Sequence, residues 1–262
     1  AGVGTLVYVL FTKKSSPVFL GSSFAFLGSM AAAFAGAVSI QAGYVGLILG
    51  AFFAGLVYVV IAIVVKKAGV QWINKLMPAM VIGPTVAIIG LSLAGNAVGD
   101  LTTPSLEGGS MYVAVICGLV TLFTTIIVTS YGKKTLKLIP YIIGIIAGYI
   151  AASIFYVIGA AAHLPALQII DYSPFTALFA DGVTLNSFIA YPDFTFMTAI
   201  KGAGDITGSY IGTIAVAYVP VAFVVFAEHI ADHKNISTII GKDLLEDPGL
   251  SRTLLGDGVG SM

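Results

Sequence analysis

Residues 210–233 read Tyr210-Ile211-Gly212-Thr213-Ile214-Ala215-Val216-Ala217-Tyr218-Val219-Pro220-Val221-Ala222-Phe223-Val224-Val225-Phe226-Ala227-Glu228-His229-Ile230-Ala231-Asp232-His233. From Tyr210 to Ala227 the run is almost wholly apolar, and it ends in two carboxylates and two imidazoles. Apolar stretches of this length are read as membrane-spanning helices. A carboxylate on such a helix is expensive to keep in lipid, and by default it marks a cavity or a proton path.

The composition supports that reading of the solvent. The chain is 58% hydrophobic and 9% charged, with a mean hydropathy of +1.03, whereas a soluble domain carries about 25% charged residues. So few charges cannot cover a water-facing surface, so lipid surrounds most of the chain. A net charge of zero argues against nucleic acid as a partner. Cys117 is the single cysteine, which excludes an internal disulfide and a cysteine-based metal site. In its apolar run it reads as a small hydrophobe.

Ala1 to Thr12 is an apolar run too short to cross, roughly 18 Å against a hydrocarbon core of ~30 Å. Six further stretches are long enough: Val18–Ile40, Gly43–Val65, Met77–Val98, Ser110–Ser130, Leu138–Ala162 and Tyr210 to about Ile236. Lysines follow alternate spans, at Lys13, Lys14, Lys66, Lys67, Lys133, Lys134, Lys137, Lys234 and Lys242. With Lys75 and Arg252, all the basic residues except Lys201 fall on one side. The positive-inside rule makes that side cytoplasmic. The loops Gly99–Gly109 and His163–Asp205 are then external. The longer one, with Phe175, Phe179, Phe188, Tyr191, Phe194 and Phe196, is expected to lie partly in the interface. No initiator Met opens the chain, and Gly249–Met262 stops as a mildly apolar segment begins. Both ends read as cut, so a larger membrane protein is expected.

The second span is not a plain helix. Pro17 ends any preceding helix, Val18-Phe19-Leu20 is strand-like, and Gly21-Ser22-Ser23 supplies a breaker and two N-cap residues before a small-residue helix from Ala25 to Ala37. A helix starting inside the membrane leaves amide donors and a positive dipole end free there. Non-helical backbone at that depth lines a cavity or is buried in protein, and broken helices of this kind build substrate sites in secondary transporters. The alternative is a span beginning at Ala25, with Val18–Ser23 an ordinary loop.

Glu228, Asp232 and Asn235 share one helical face, with His229 and His233 on the adjoining one. Depth decides their meaning. A helix ending near Glu228 places them at the interface as a solvated patch. A helix continuing to about Thr238 places Glu228 near mid-membrane, where it could accept hydrogen bonds from a neutral polar ligand or hold a proton. Burial raises a carboxyl pKa, and Asp232 would reinforce that by repulsion. His229 is left open as a proton relay; His233 is read as solvated. His229 and His233 lack a third zinc ligand and the glutamate spacing of a metalloprotease. Pro78, Pro84, Pro140 and Pro220 read as helix kinks. Walker, dinucleotide and Gly-x-Ser-x-Gly motifs are absent from the sequence.

Two motifs carry a family resemblance. Gly21-Ser22-Ser23-Phe24-Ala25-Phe26 resembles the broken third segment of the nucleobase–ascorbate transporters (the nucleobase:cation symporter-2 family), and Ala227-Glu228-His229-Ile230 resembles their eighth. Met77-Pro78 and Gly83–Leu91 resemble the fifth segment, and Lys242–Arg252 resembles the loop after the eighth. The match runs in order along the chain, most like the bacterial uracil permeases. The resemblance implies an all-α polytopic membrane protein with seven-plus-seven inverted repeats. This chain would be a partial copy, about segments two to nine, with one broken strand–helix segment. Residues 1–76 would supply core segments, 77–162 the gate, 163–205 an extracytoplasmic loop with an interfacial part, and 206–262 the eighth segment, a cytoplasmic loop and the start of the ninth.

By the same resemblance, the substrate is a nucleobase, most like uracil, imported by proton symport through elevator-like alternating access. Glu228 would bind the base, Phe24 would offer a backbone amide and its ring, and Ser23 and Ala25 would form the backbone cradle. Glu228, Asp232 and His229 would couple the proton. Asp232 stands where the compared uracil permease has histidine, which leaves the proton-linked details and the exact base open. No cofactor beyond the coupling proton is implied. Uracil and the lipid bilayer are the partners, and a homodimer is considered. The chain would lack the tenth segment and its second binding glutamate, so it would not transport alone. The alternatives are a xanthine or purine permease of the same family, or a multispan enzyme. The enzyme would require Ser22 or Ser23 within hydrogen-bond reach of His229.

Overall fold

The computed structural model describes the chain apart from Met77, Ser105 and residues 134–135, 137–138, 181, 185–186 and 190–193, together with the side chains of Asn74, Leu76, Ala79 and Ile82. The expected span starts at Met77 and Leu138, two loop lysines (Lys134 and Lys137) and Tyr191 therefore lie outside the described residues.

Among the described residues the regular structure is helical, with no strand. In chain order the helices are α1 (Gly2–Phe11), α2 (Leu27–Ala35), α3 (Ile40–Ala68), α4 (Gln71–Leu76), α5 (Ala79–Thr102), α6 (Met111–Tyr131), α7 (Pro140–Ala161), α8 (Ser173–Leu178), α9 (Thr195–Ile200), α10 (Gly208–Ile240) and α11 (Leu250–Ser261). Five of them, α3, α5, α6, α7 and α10, are long and apolar enough to cross a membrane. The protein is thus an all-α, multi-pass membrane protein.

The second apolar stretch does break. One tight turn of 3 residues, Phe24–Phe26, leads into the 9 residues of α2. Together they rise roughly 20 Å, short of a crossing. An uninterrupted span from Ala25 onward is therefore not formed. The chain leaves the helix at Gly36, and Ser39 caps α3 by accepting the Ala42 amide at 3.1 Å. Val18–Ser23 carries no regular secondary structure, so the short strand expected there does not form among the described residues.

The chain forms two compact units. The first holds residues 1–92 and 193–262. Its framework is a pair of parallel helices, α3 and α10: Tyr210 lies over Gly46, Tyr218 over Gly50, and Phe226 meets Tyr58 edge-on at 6.5 Å. The numbers rise together, so the helices run the same way. Glycine is needed at Gly50 because a Cβ there would collide with the Tyr218 ring. Small residues at such seams let helices approach closely in lipid. Helix α11 seats its Leu250 and Leu254 against Tyr58, Ile61, Ala62, Val65, Phe226 and Ile230. The half-helix α2 is tied to α10 by polar bonds across the interface. Ser29 donates to the Ala217 carbonyl at 2.7 Å, and Tyr210 donates to the Ala33 carbonyl at 2.7 Å.

The second unit holds residues 93–192. Here α6 and α7 pack through Val113, Cys117 and Ala152. Gly144 and Gly148 of α7 receive the side chains of Thr125 and Thr121. Pro140 does not kink a helix: it occupies the first turn of α7, where its missing amide costs nothing. Pro84 and Pro220 lie inside α5 and α10, which continue past them.

Candidate functional site

Glu228 is an interior residue of α10, not a terminal one. Twenty residues, or roughly 30 Å of helix, precede it and twelve, roughly 18 Å, follow it. Of the two depths open to the sequence, the helix takes the longer course, to Ile240. Its Gly241 then ends it in a left-handed conformation at φ 70°.

The carboxylate meets the broken segment directly. Ser23 donates its hydroxyl to Glu228 Oε2 at 2.6 Å, while Ser23 Oγ itself accepts the Ala25 amide at 3.2 Å. The first of these has the length of a charge-assisted O–H···O⁻ bond. Ser23 is extended (φ −80°, ψ 134°), as an N-cap should be, so the serine that starts the half-helix also docks it on α10. The positive end of the half-helix is thereby held against the Glu228 carboxylate, the favourable polarity for that dipole.

A cavity of about 630 Å³ opens beside this contact, bordered by Gly21, Ser22, Ser23, Phe26, Tyr58, Tyr218, Glu228 and Asp232. That size falls in the range of small-molecule sites, and the lining has their usual form, apolar walls with a few converging polar groups. Phe26 stacks on Tyr218 with ring centroids 5.5 Å apart. The ring of Phe24, expected at the site, is 66% exposed and is not in this wall; Phe26 supplies the aromatic there. Ala25 contributes its amide to the Ser23 cap. Asp232 is exposed at the cavity edge, one turn from Glu228.

His229 turns away from the serines. Its Nδ1 faces Asp257 Oδ2 of α11 at 2.9 Å and its Nε2 faces the Thr253 hydroxyl at 3.1 Å. A nucleophilic Ser–His pair is not what the fold assembles: the Ser23 hydroxyl goes to a carboxylate, and the histidine is held from α11. His233 requires a correction. It is not solvated but 2% exposed, its ring stacked 4.0 Å from that of His229. Its Nδ1 donates to the His229 carbonyl at 2.8 Å, which leaves Nε2 of the neutral ring to accept from the Tyr8 hydroxyl at 2.8 Å. Lys234 and Asn235 are exposed beyond this cluster.

Tyr8, Ser16, Thr253 and Asp257 were not marked as site residues by the sequence. For Asp257 a signal was there, because it is an isolated carboxylate in an apolar segment, the same mark that singles out Glu228. Tyr8, Thr253 and Ser16 carry no such mark.

A multi-pass membrane protein with a ligand-sized cavity at the start of a broken half-helix has the form of a carrier. Comparison with known proteins fixes the family: a profile describing a permease family matches residues 1–262, and the chain belongs to that family. Over its whole length it is 36% identical to the uracil permease of Bacillus caldolyticus and 34% identical to that of Bacillus subtilis (strain 168), covering 54% of each. It is 29% identical to the uracil permease of Escherichia coli (strain K12), covering 52%. The chain spans about half the length of the curated relatives it matches. The family resemblance read from Gly21–Phe26 and Ala227–Ile230 is borne out, and these relatives are permeases, not enzymes.

Proposed function

We propose that this chain is part of a nucleobase permease whose cargo is uracil. The observation that carries the reading is the Ser23–Glu228 contact at the mouth of the half-helix, set beside relatives named uracil permeases. A carboxylate accepts the ring N–H of a cyclic imide, and free amides at a half-helix start donate to its carbonyl oxygens. Uracil presents both groups on one edge. Ser23 and the Ala25 backbone form the polar cradle, with Phe24 contributing its amide and Phe26, in place of Phe24, the ring. Glu228 is the central ligand. Glu228, Asp232 and His229 exchange the coupled proton.

The cycle is elevator-like alternating access driven by proton symport. Residues 1–76 and 206–262 serve the core, 77–162 the gate and 163–205 an outer loop, with the lysine-rich loops cytoplasmic. The test is radiolabelled uracil uptake into cells expressing the full-length parent, with and without a proton gradient, against xanthine, uric acid and adenine as competitors. Gradient-dependent uptake that purines compete poorly is the expected result. Strong competition by xanthine moves the cargo to the purines, and uptake indifferent to the gradient removes the symport.

A further inference from the structure

The segment that carries Ser23 has little structure of its own. Between Ser16 and Ser22 the one hydrogen bond made by a backbone amide is that of Leu20, which donates to the Thr5 hydroxyl of α1 at 3.0 Å. Its C-terminal end is docked on α10 by Ser23 and Glu228. Its N-terminal end is docked on α10 as well, through α1. Ser16 and Tyr8 share a hydrogen bond of 2.8 Å, Tyr8 and His233 another of 2.8 Å, and His233 is anchored on the His229 carbonyl. Tyr8 is 0% exposed, and Ser16 and His233 are each 2% exposed. Buried, fully partnered chains of this kind hold one geometry, because each broken link leaves a buried polar group unsatisfied.

We propose that Tyr8, Ser16 and His233 form a positioning latch for the ligand site. Glu228 and His233 lie five residues apart on one helix, and the latch ties both ends of the non-helical segment to that short stretch. The half-helix start and the Glu228 carboxylate are then set by a common ruler. His233 borders the cavity, but both its ring nitrogens are taken, by the His229 carbonyl and by Tyr8, so the pair acts through Ser23. The inference rests on the reading of Glu228 and Ser23 as the cargo site, but its first test does not.

That test is hydrogen exchange on the full-length parent in lipid nanodiscs. Tyr8→Phe should speed exchange of the hydrogen-bonded Leu20, Ala25 and Phe26 amides about tenfold while leaving the α10 amides from Tyr210 to Phe226 unchanged. Ser16→Ala, a smaller change, should do the same to a lesser degree and serves if Tyr8→Phe does not fold. Unaltered exchange at Leu20, Ala25 and Phe26, or equal acceleration along α10, overturns the latch. The second arm is a double-mutant cycle on uracil affinity. Tyr8→Phe should weaken binding about 3- to 10-fold in the parent and less than about twofold in a Ser23→Ala background, where the latch has nothing left to place. Equal losses in both backgrounds mark a merely structural role and also overturn it. A parent that shows the exchange effect yet binds no uracil would refute the cargo and leave the latch standing.

Discussion

Helices α6 and α10 are both apolar and both long enough to cross a membrane, yet their polar side chains bond in different directions. In α6, Thr121, Thr125 and Thr129 each donate to the carbonyl four residues back, at 3.1, 2.8 and 2.8 Å. Their hydroxyls are satisfied within the helix, and no polar group of another segment depends on them. In α10, Glu228, His229 and His233 bond to Ser23, to Thr253 and Asp257, and to Tyr8, residues supplied by three other segments. A polar group that closes on its own backbone makes a helix tolerable in lipid. One that closes across elements makes a site, because several segments must be in place at once.

Substitutions in the full-length parent should break the comparison in proportion. Glu228→Ala should abolish uptake, since one charged hydrogen bond is worth about 1.5–3 kcal/mol, or roughly 10- to 150-fold in affinity. Normal uptake by a normally expressed variant would sink the site. Asp257→Ala leaves His229 without its acceptor in a buried setting and should destabilise by about 1–3 kcal/mol. It should melt well below the parent, with Asp257→Asn between the two; a melt unchanged from the parent would show that the pair does not hold α11. Gly50→Ala drives a methyl into the Tyr218 ring and should cost about 1–3 kcal/mol. If it melts with the parent, the α3–α10 seam is looser than its geometry. Thr129→Val on α6, exposed and self-bonded, should change stability by no more than about 0.5 kcal/mol and leave uptake intact. A large effect there would erase the distinction between the two helices.

The same contrast explains what could be read from the chain beforehand. Spans follow from local apolar runs, and their existence and order were legible; Ile40–Ala68 differs from the expected Gly43–Val65 only by three residues at each end. The break before α2 was legible because Pro17, Gly21 and the paired serines are local signals. Glu228 stood out because its neighbours are apolar. Contacts between distant segments were not legible. Tyr8 and His233 are 225 residues apart, and nothing near His233 announces a phenol to cover it, so a histidine in the later part of a helix reads as solvated. Nor could the sequence choose between Phe24 and Phe26, since the tight turn that begins the half-helix decides which ring enters the cavity.

The parallel course of α3 and α10 has a consequence for counting. Two parallel helices start at the same face of the bilayer, so the chain that leaves α3 at one face must reach the other before α10 can begin. Such a path crosses an odd number of times. Between them the helices long and apolar enough to cross are α5, α6 and α7, an odd number. The seating of two tyrosine rings, Tyr210 and Tyr218, on two glycines, Gly46 and Gly50, thus bears on the path of a stretch of chain that none of the four belongs to.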